Sequence, residues 1–145
     1  FSWFIFNNQG ELLLQQRAPA KRLWGGYWSN SCCSHPRKNE TMAEAVMRRC
    51  QQELGFSTEL SFVYKFKYHA EFANLGSEHE LCSVYIGQFN GEPQVNTTEV
   101  SAWRWISPEH LNRELKDPTK LFTPWLQLEW QRLNQEFSKL FIKAE

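Results

Sequence analysis

Three short segments carry side chains able to do chemistry. The first is Ser31-Cys32-Cys33-Ser34-His35-Pro36. Alternate residues of an extended strand share a face, so Cys33 and His35 point one way and Cys32 the other. A thiol beside an imidazole suits a nucleophile pair, a metal site or a proton-transfer site. The plain alternative is a core cysteine beside a hydrogen-bonded histidine. The second segment is Glu78-His79-Glu80. On a strand its two carboxylates share a face, and they repel unless a cation holds them or one is protonated. A metal site or a tuned acid fits that pattern, and a solvated acidic loop end is the plain alternative. The third is the polar run Glu40, Arg48, Arg49, Gln52 and Glu53, which overlies the clearest helical pattern in the chain.

These segments need elements to position them. Residues 1–6 and 11–17 are apolar runs around the turn signal Asn7-Asn8-Gln9-Gly10, which predicts a β-hairpin. Residues 18–26 form a loop with Pro19, Lys21, Arg22 and paired glycines, and 27–35 predict a short strand ending at Pro36. The spacing of Ala45, Val46, Cys50 and Leu54 predicts a helix over 39–54, with a capping box at Thr41 and Glu44 and a stop at Gly55. Strands are expected at 60–70, 81–89 and 100–106. Ser107-Pro108 opens a short helix, and a last helix is expected over 122–141. The order β-β-β-α-β-β-β-α-α predicts an α+β fold, a mixed sheet with helices packed on it.

Bulk properties set limits. The 145 residues suit one domain with a core of its own. Seven Trp and eleven Phe are a heavy aromatic load, enough both to fill a core and to line a cavity. The net charge of zero gives no general attraction to nucleic acid or membrane, so an anion site must come from local clustering of Lys and Arg. No apolar run approaches the ~20 residues of a membrane span. Cys32, Cys33, Cys50 and Cys82 form no C-x-x-C pair, which predicts reduced thiols in a cytoplasmic protein, with no secretory signal visible. The chain starts at Phe1, inside an expected strand, which predicts a further segment upstream.

From Ser34 the chain reads Ser34-x5-Glu40-x7-Arg48-Arg49-Cys50-x-Gln52-Glu53-x-Gly55-Phe56. This resembles the Nudix box, G-x5-E-x7-R-E-U-x-E-E-x-G-U, where U is aliphatic. Glu40, Arg48, Glu53 and Gly55 match. Ser34 replaces the first glycine, and Arg49 and Gln52 replace two glutamates. A Nudix hydrolase gathers magnesium on such glutamates to activate water against a diphosphate. The replacements remove charge that cluster needs, and an arginine there favours an anion. With Trp24-Gly25-Gly26-Tyr27-Trp28-Ser29-Asn30-Ser31, Phe66-x-Tyr68, Glu78-x-Glu80-x-Cys82 and Pro124-Trp125, the ordered set resembles the type 1 isopentenyl-diphosphate isomerases over nearly the whole chain.

That resemblance implies a single Nudix-type isomerase domain, a monomer acting on a small isoprenoid diphosphate. It implies that Cys33 and Glu80 flank the allyl unit of the substrate, one delivering a proton and the other removing one. Tyr68 tunes the glutamate, and Trp125 lies over the reacting carbons, where an aromatic face stabilises a developing cation. Arg17, Lys21 and Arg49 hold the diphosphate, with Mg2+ carried on it near Glu53. A second divalent metal (Mg2+, Mn2+ or Zn2+) is bound by His35, Glu78 and Glu80, together with two histidines of a segment preceding Phe1, and none of His69, His79 or His110 matches those. Without that segment the resemblance implies weak activity. The competing readings are a diverged Nudix diphosphate hydrolase and a non-catalytic diphosphate-binding module.

Overall fold

A computed structural model describes residues 1–72 and 76–141; within these, the side chains of Phe66, 68–72 and 76–81 are outside the description. The described elements run β1 (Ser2–Phe6), β2 (Leu12–Arg17), β3 (Trp28–Ser29), β4 (Cys32–Cys33), α1 (Met42–Leu54), β5 (Ser61–Phe72), β6 (Gly76–Gln88), β7 (Val100–Ile106), α2 (Pro108–Glu114) and α3 (Pro124–Glu136), then a 3-10 turn over Ser138–Leu140. The α+β expectation and the hairpin hold: β1 and β2 are antiparallel, with Phe6 opposite Leu12. The sheet is mixed, because β1 runs parallel to β6 while β5 pairs antiparallel with β6. Its main path is β3-β2-β1-β6-β5, with β4 beside β1 and β7 beside β2.

Strand β1 lies inside the sheet and is covered on both faces, which is why it reads as an unbroken apolar run. Its even side chains, Phe4 and Phe6, join Leu12, Leu14, Val84 and Ile106 under Leu111 of α2 and Leu126, Trp130 and Leu133 of α3. Its odd side chains, Trp3 and Ile5, join Leu13 and Cys32 against Ala45, Val46, Cys50 and Leu54 of α1. Each fully buried aliphatic side chain contributes about 1.5–3 kcal/mol. Helix α1 starts as its sequence demands: the Thr41 side chain accepts from the Glu44 N–H, and Gly55 closes the helix with φ 76°.

Three boundaries differ from expectation. Residues 27–35 are not one strand. The chain pairs with β2 through Trp28–Ser29, crosses over at Asn30–Ser31, and then pairs with β1 through Cys32–Cys33. Asn30 and Ser31 are fully buried and supply by side chain the bonds the ladder gives up. Asn30 Nδ2 donates to the carbonyls of Trp3 and Cys32 at 3.1 and 2.9 Å. Ser31 Oγ donates to the Leu13 carbonyl at 2.7 Å and accepts from the Ile5 N–H at 2.8 Å. Strand β6 begins at Gly76, so Glu78-His79-Glu80 lies within a strand and not at a loop end. The last helix ends at Glu136, and its 3-10 continuation covers only Ser138–Leu140.

Candidate active site

The crossover places Cys33 opposite Ser2 and Cys32 opposite Trp3 on β1. The alternation then sends the two thiols to opposite sides of the sheet. Cys32 packs with the α1 layer, and its thiol donates to Glu53 Oε2 at 3.6 Å. Cys33, half-buried, packs against a buried cluster of Trp24, Cys82 and Trp125, with Leu23 and Tyr27 beside it. Burial pushes the Cys33 thiol up to about 11, against the pull of the Arg17 guanidinium and with Glu53 and Glu129 adding to the rise. At neutral pH this thiol therefore carries its proton.

Trp125 is held from the sheet side. Backbone bonds from the Trp28 N–H to the Leu121 carbonyl and from the Thr123 N–H to the Trp28 carbonyl, both 2.9 Å, fasten the start of α3 to β3. The Trp125 Nε1–H is then shared between Ser29 Oγ at 2.9 Å and Asn30 Oδ1 at 3.1 Å. Ser29 Oγ in turn donates to Asn30 Oδ1 at 2.9 Å and accepts from Thr123 Oγ1 at 3.1 Å. Ser29, Asn30 and Thr123 are all buried. Trp24 meets the Trp125 ring edge to face at 5.3 Å, and the Arg17 guanidinium carbon lies 5.4 Å from the same ring centroid.

The three expected anion-binding cations have different partners. Arg17 donates from Nε and Nη2 to the Leu23 carbonyl at 3.2 and 3.0 Å. Lys21 and Arg49 both reach Glu99 Oε2. Arg49 Nη2 also lies 3.2 Å from Glu53 Oε2, one helical turn on. Glu53 is buried, and desolvation raises its pKa even though Arg49 and Lys21 oppose the rise. Burial works to raise Glu99 as well, but there Lys21 and Arg49 prevail and hold the carboxyl below its ordinary value.

Retained and replaced box residues alike have structural partners. Glu40 accepts two bonds from Arg48, at 2.7 and 2.9 Å, and one from the Arg37 N–H at 2.8 Å. Gln52 accepts from both Arg48 and Arg49 at 3.3 Å.

The remaining expected residues sit on the β5–β6 ladder. Its register sets Glu80 opposite Tyr68 and Glu78 opposite Ala70. The side chains of Tyr68, Glu78 and Glu80 lie outside the described residues. His35 follows Cys33 by two residues and is exposed. Among the described residues, no group of three or more His, Cys, Asp or Glu side chains is arranged to hold a metal.

Sequence reasoning missed several residues here. Glu99 is one. Another is Glu129, fully buried in α3, whose Oε1 accepts from Ser2 Oγ at 2.8 Å, while Cys82 Sγ lies 3.4 Å from Ser2 Oγ and 3.9 Å from Glu129 Oε2. A signal existed for Glu129: it falls four residues after Trp125 and three after Leu126, on the apolar stripe of its helix, where a carboxylate has no ordinary reason to be. Ser29 and Asn30 carried no signal beyond their place in a motif.

A NUDIX domain model matches residues 1–126. An isopentenyl-diphosphate Delta-isomerase 1 of Photorhabdus laumondii is 43% identical over 143 residues, covering 97% of this chain and 81% of the relative. The chain belongs to the isopentenyl-diphosphate Delta-isomerases, within the NUDIX family. The isopentenyl-diphosphate Delta-isomerase of Burkholderia multivorans is 45% identical over 125 residues, covering 86% of this chain and 71% of its own. Among solved structures, a Deinococcus radiodurans protein aligns with a TM-score of 0.77 at 23% identity, covering 90% of this chain and 79% of that one. A MutT protein from Methanosarcina mazei aligns at 0.76 and 18%, covering 93% and 91%. These two likenesses show the fold of the isomerase chain. No helix among its described residues is long and apolar enough to cross a membrane.

Proposed function

We propose that this isomerase interconverts isopentenyl and dimethylallyl diphosphate by protonation and deprotonation, with Cys33 and Glu80 as the proton-transferring pair. The observation that carries the reading is the Cys33 thiol, pinned on β4 opposite Ser2, raised in pKa by burial, and packed beside an anchored Trp125. Moving a double bond through a tertiary cation needs an acid at one carbon, a base at the neighbouring one, and no water to trap the cation. In this reading the buried Trp24 and Trp125 rings limit access of water on their side of Cys33. The face of Trp125 contributes about 1–2 kcal/mol toward a desolvated cation. Between them Cys33 and Glu80 hold one proton at the outset and one at the end, on the opposite partner. Tyr68, opposite Glu80 in the register, orients that carboxyl in this reading.

Arg17, Lys21 and Arg49 take the diphosphate. Glu53 fits a magnesium ion arriving with it, because its buried carboxylate stands beside the same cations and burial leaves it under-stabilised as an anion. The ion would neutralise charge on the diphosphate. His35, Glu78 and Glu80 are the ligands proposed for the second divalent metal, and imidazole with carboxylates suits Mg2+, Mn2+ or Zn2+.

The test is incubation with isopentenyl diphosphate and divalent metal in heavy water, followed by NMR, beside Cys33→Ala and Glu80→Gln. Dimethylallyl diphosphate carrying deuterium, lost in either variant, is the expected result. Released phosphate or a monophosphate product would instead assign the chain to the hydrolases. Full turnover in both variants would remove the pair from the reaction.

A further inference from the structure

Glu99 is the one acidic side chain that reaches both Lys21 and Arg49 among the described ion pairs, and it does so with a single oxygen, Oε2. Its placement is built into the backbone. The Asn96 N–H bonds the Glu53 carbonyl at 3.0 Å, which ties the start of this turn to the end of α1, the helix of Arg49. The Glu99 N–H returns to the Asn96 carbonyl at 3.0 Å, and the Asn96 side chain caps the turn through the Thr98 N–H at 3.1 Å. The Glu99 carbonyl accepts from the Ala18 N–H at 3.0 Å, and the Ala18 carbonyl accepts from the Lys21 N–H at 3.0 Å. The turn is thus fastened to both elements that carry the two cations. Its carboxylate is only 28% exposed, as is Lys21, and Arg49 is 18% exposed.

One oxygen lying between an ammonium and a guanidinium occupies the place a bridging phosphate oxygen would take. We propose that Glu99 is an affinity-determining residue, an internal anion that the diphosphate of the substrate must displace from Lys21 and Arg49. This rests on the reading that those two cations hold the diphosphate. In the free enzyme Glu99 neutralises the pair and keeps it aligned. On binding, the cations exchange a carboxylate for a more highly charged diphosphate, so every anion binds more weakly than the bare cations would allow. Weak anions then leave the site open, and only a multiply charged ligand fills it.

The measurement is calorimetric titration of the full-length protein with inorganic diphosphate in excess magnesium, for the parent, Glu99→Gln, Lys21→Met and the double variant. Glutamine keeps the shape and removes the charge. An ion pair of this exposure is worth at most a factor of about five, so Glu99→Gln should bind diphosphate about three- to fivefold more tightly. That gain should shrink in the Lys21→Met background, where only Arg49 remains to be released. Losing a purely structural contact can only loosen the site, so a rise in affinity separates the two roles. Unchanged or weaker binding by Glu99→Gln, with the thermal midpoint of the parent and with Lys21→Met weakened, overturns the inference alone. Unchanged binding by Lys21→Met overturns the diphosphate reading and the inference with it. If Glu99→Gln unfolds, Glu99→Asp retains the charge but withdraws it by one methylene. A smaller gain is then expected, and a loss overturns the proposal.

Discussion

Replacing Trp125 by Phe separates what holds the ring from what the ring is. Phenylalanine keeps an aromatic face but has no N–H for Ser29 Oγ and Asn30 Oδ1, which now receive it at 2.9 and 3.1 Å. Neither acceptor is orphaned, since Thr123 Oγ1 still donates to Ser29 and Ser29 still donates to Asn30. The lost hydrogen bond therefore costs about 1 kcal/mol and not the larger penalty of an unpaired buried group. The smaller ring leaves a void beside Trp24 and loses part of the edge-to-face contact at 5.3 Å, about another 1–3 kcal/mol. A total near 2–4 kcal/mol corresponds to a fall of roughly 6–14 °C in Tm for a domain of this size.

The kinetic consequence is larger than a change of ring would give. Phe presents much of the same quadrupole to a cation, so a drop in kcat of about tenfold or more reports loss of placement. The assay is thermal unfolding and steady-state isomerisation for Trp125→Phe, Ser29→Ala and the double variant. Both single changes remove the same bond, so their stability effects should fall short of additive by about 1 kcal/mol. Additive effects, or a Trp125→Phe enzyme with the stability and kcat of the parent, would refute the anchoring argument.

Two further changes probe the scaffold around the anion site. A Cβ on Gly25 would stand 2.6 Å from the Pro19 carbonyl oxygen and 2.8 Å from that of Lys21. Gly25→Ala should therefore destabilise by about 1–3 kcal/mol and raise KM more than it lowers kcat, as Michaelis kinetics will show. Glu40 is held down to about 2, first by its hydrogen bonds from Arg48 and then by the Arg37 N–H. A carboxyl lowered on folding stabilises above its unfolded value of 4.5, and that contribution disappears as pH falls toward 2. Glu40→Gln should lose the acid limb of the stability curve between those values, measured by denaturant titration at stepped pH; an unchanged limb would exclude the Glu40–Arg48 pair as its source.

Much of the frame was legible because its signals were local. The hairpin, the Thr41 cap, the Gly55 stop, strand β7 and the Ser107 cap are each specified by neighbouring residues. The break at Asn30–Ser31 was illegible because its cause is distant: β1 and β2 offer different edges, and the chain changes from one to the other. The early start of β6 was missed because Glu78-His79-Glu80 lacks the apolar alternation by which a strand is recognised, and its pairing with β5 carries it. The different partners of Arg17 and of Lys21 and Arg49 were likewise beyond sequence. They depend on the Leu23 carbonyl capturing one guanidinium and the Glu99 turn capturing the other two cations.

The altered box shows how a small change redirects one scaffold. Glu53 survives, but Arg49 one turn earlier lies 3.2 Å from it and shares its field. Gln52 takes the place of a second carboxylate and accepts from both neighbouring arginines at 3.3 Å. A helix end that would gather cations on several glutamates here presents one carboxylate paired with a guanidinium. Such a site favours an anion, and a single cation only when that anion brings it. On the other side of β4 the half-buried Cys33 packs against Trp24 and Trp125, and burial raises its thiol to about 11. The two adjacent thiols thus serve two environments, Cys32 facing the helix and Cys33 the Trp24–Trp125 cluster. On the proposed reading, the same NUDIX framework keeps a diphosphate site at the altered helix while Cys33 serves the hydrocarbon.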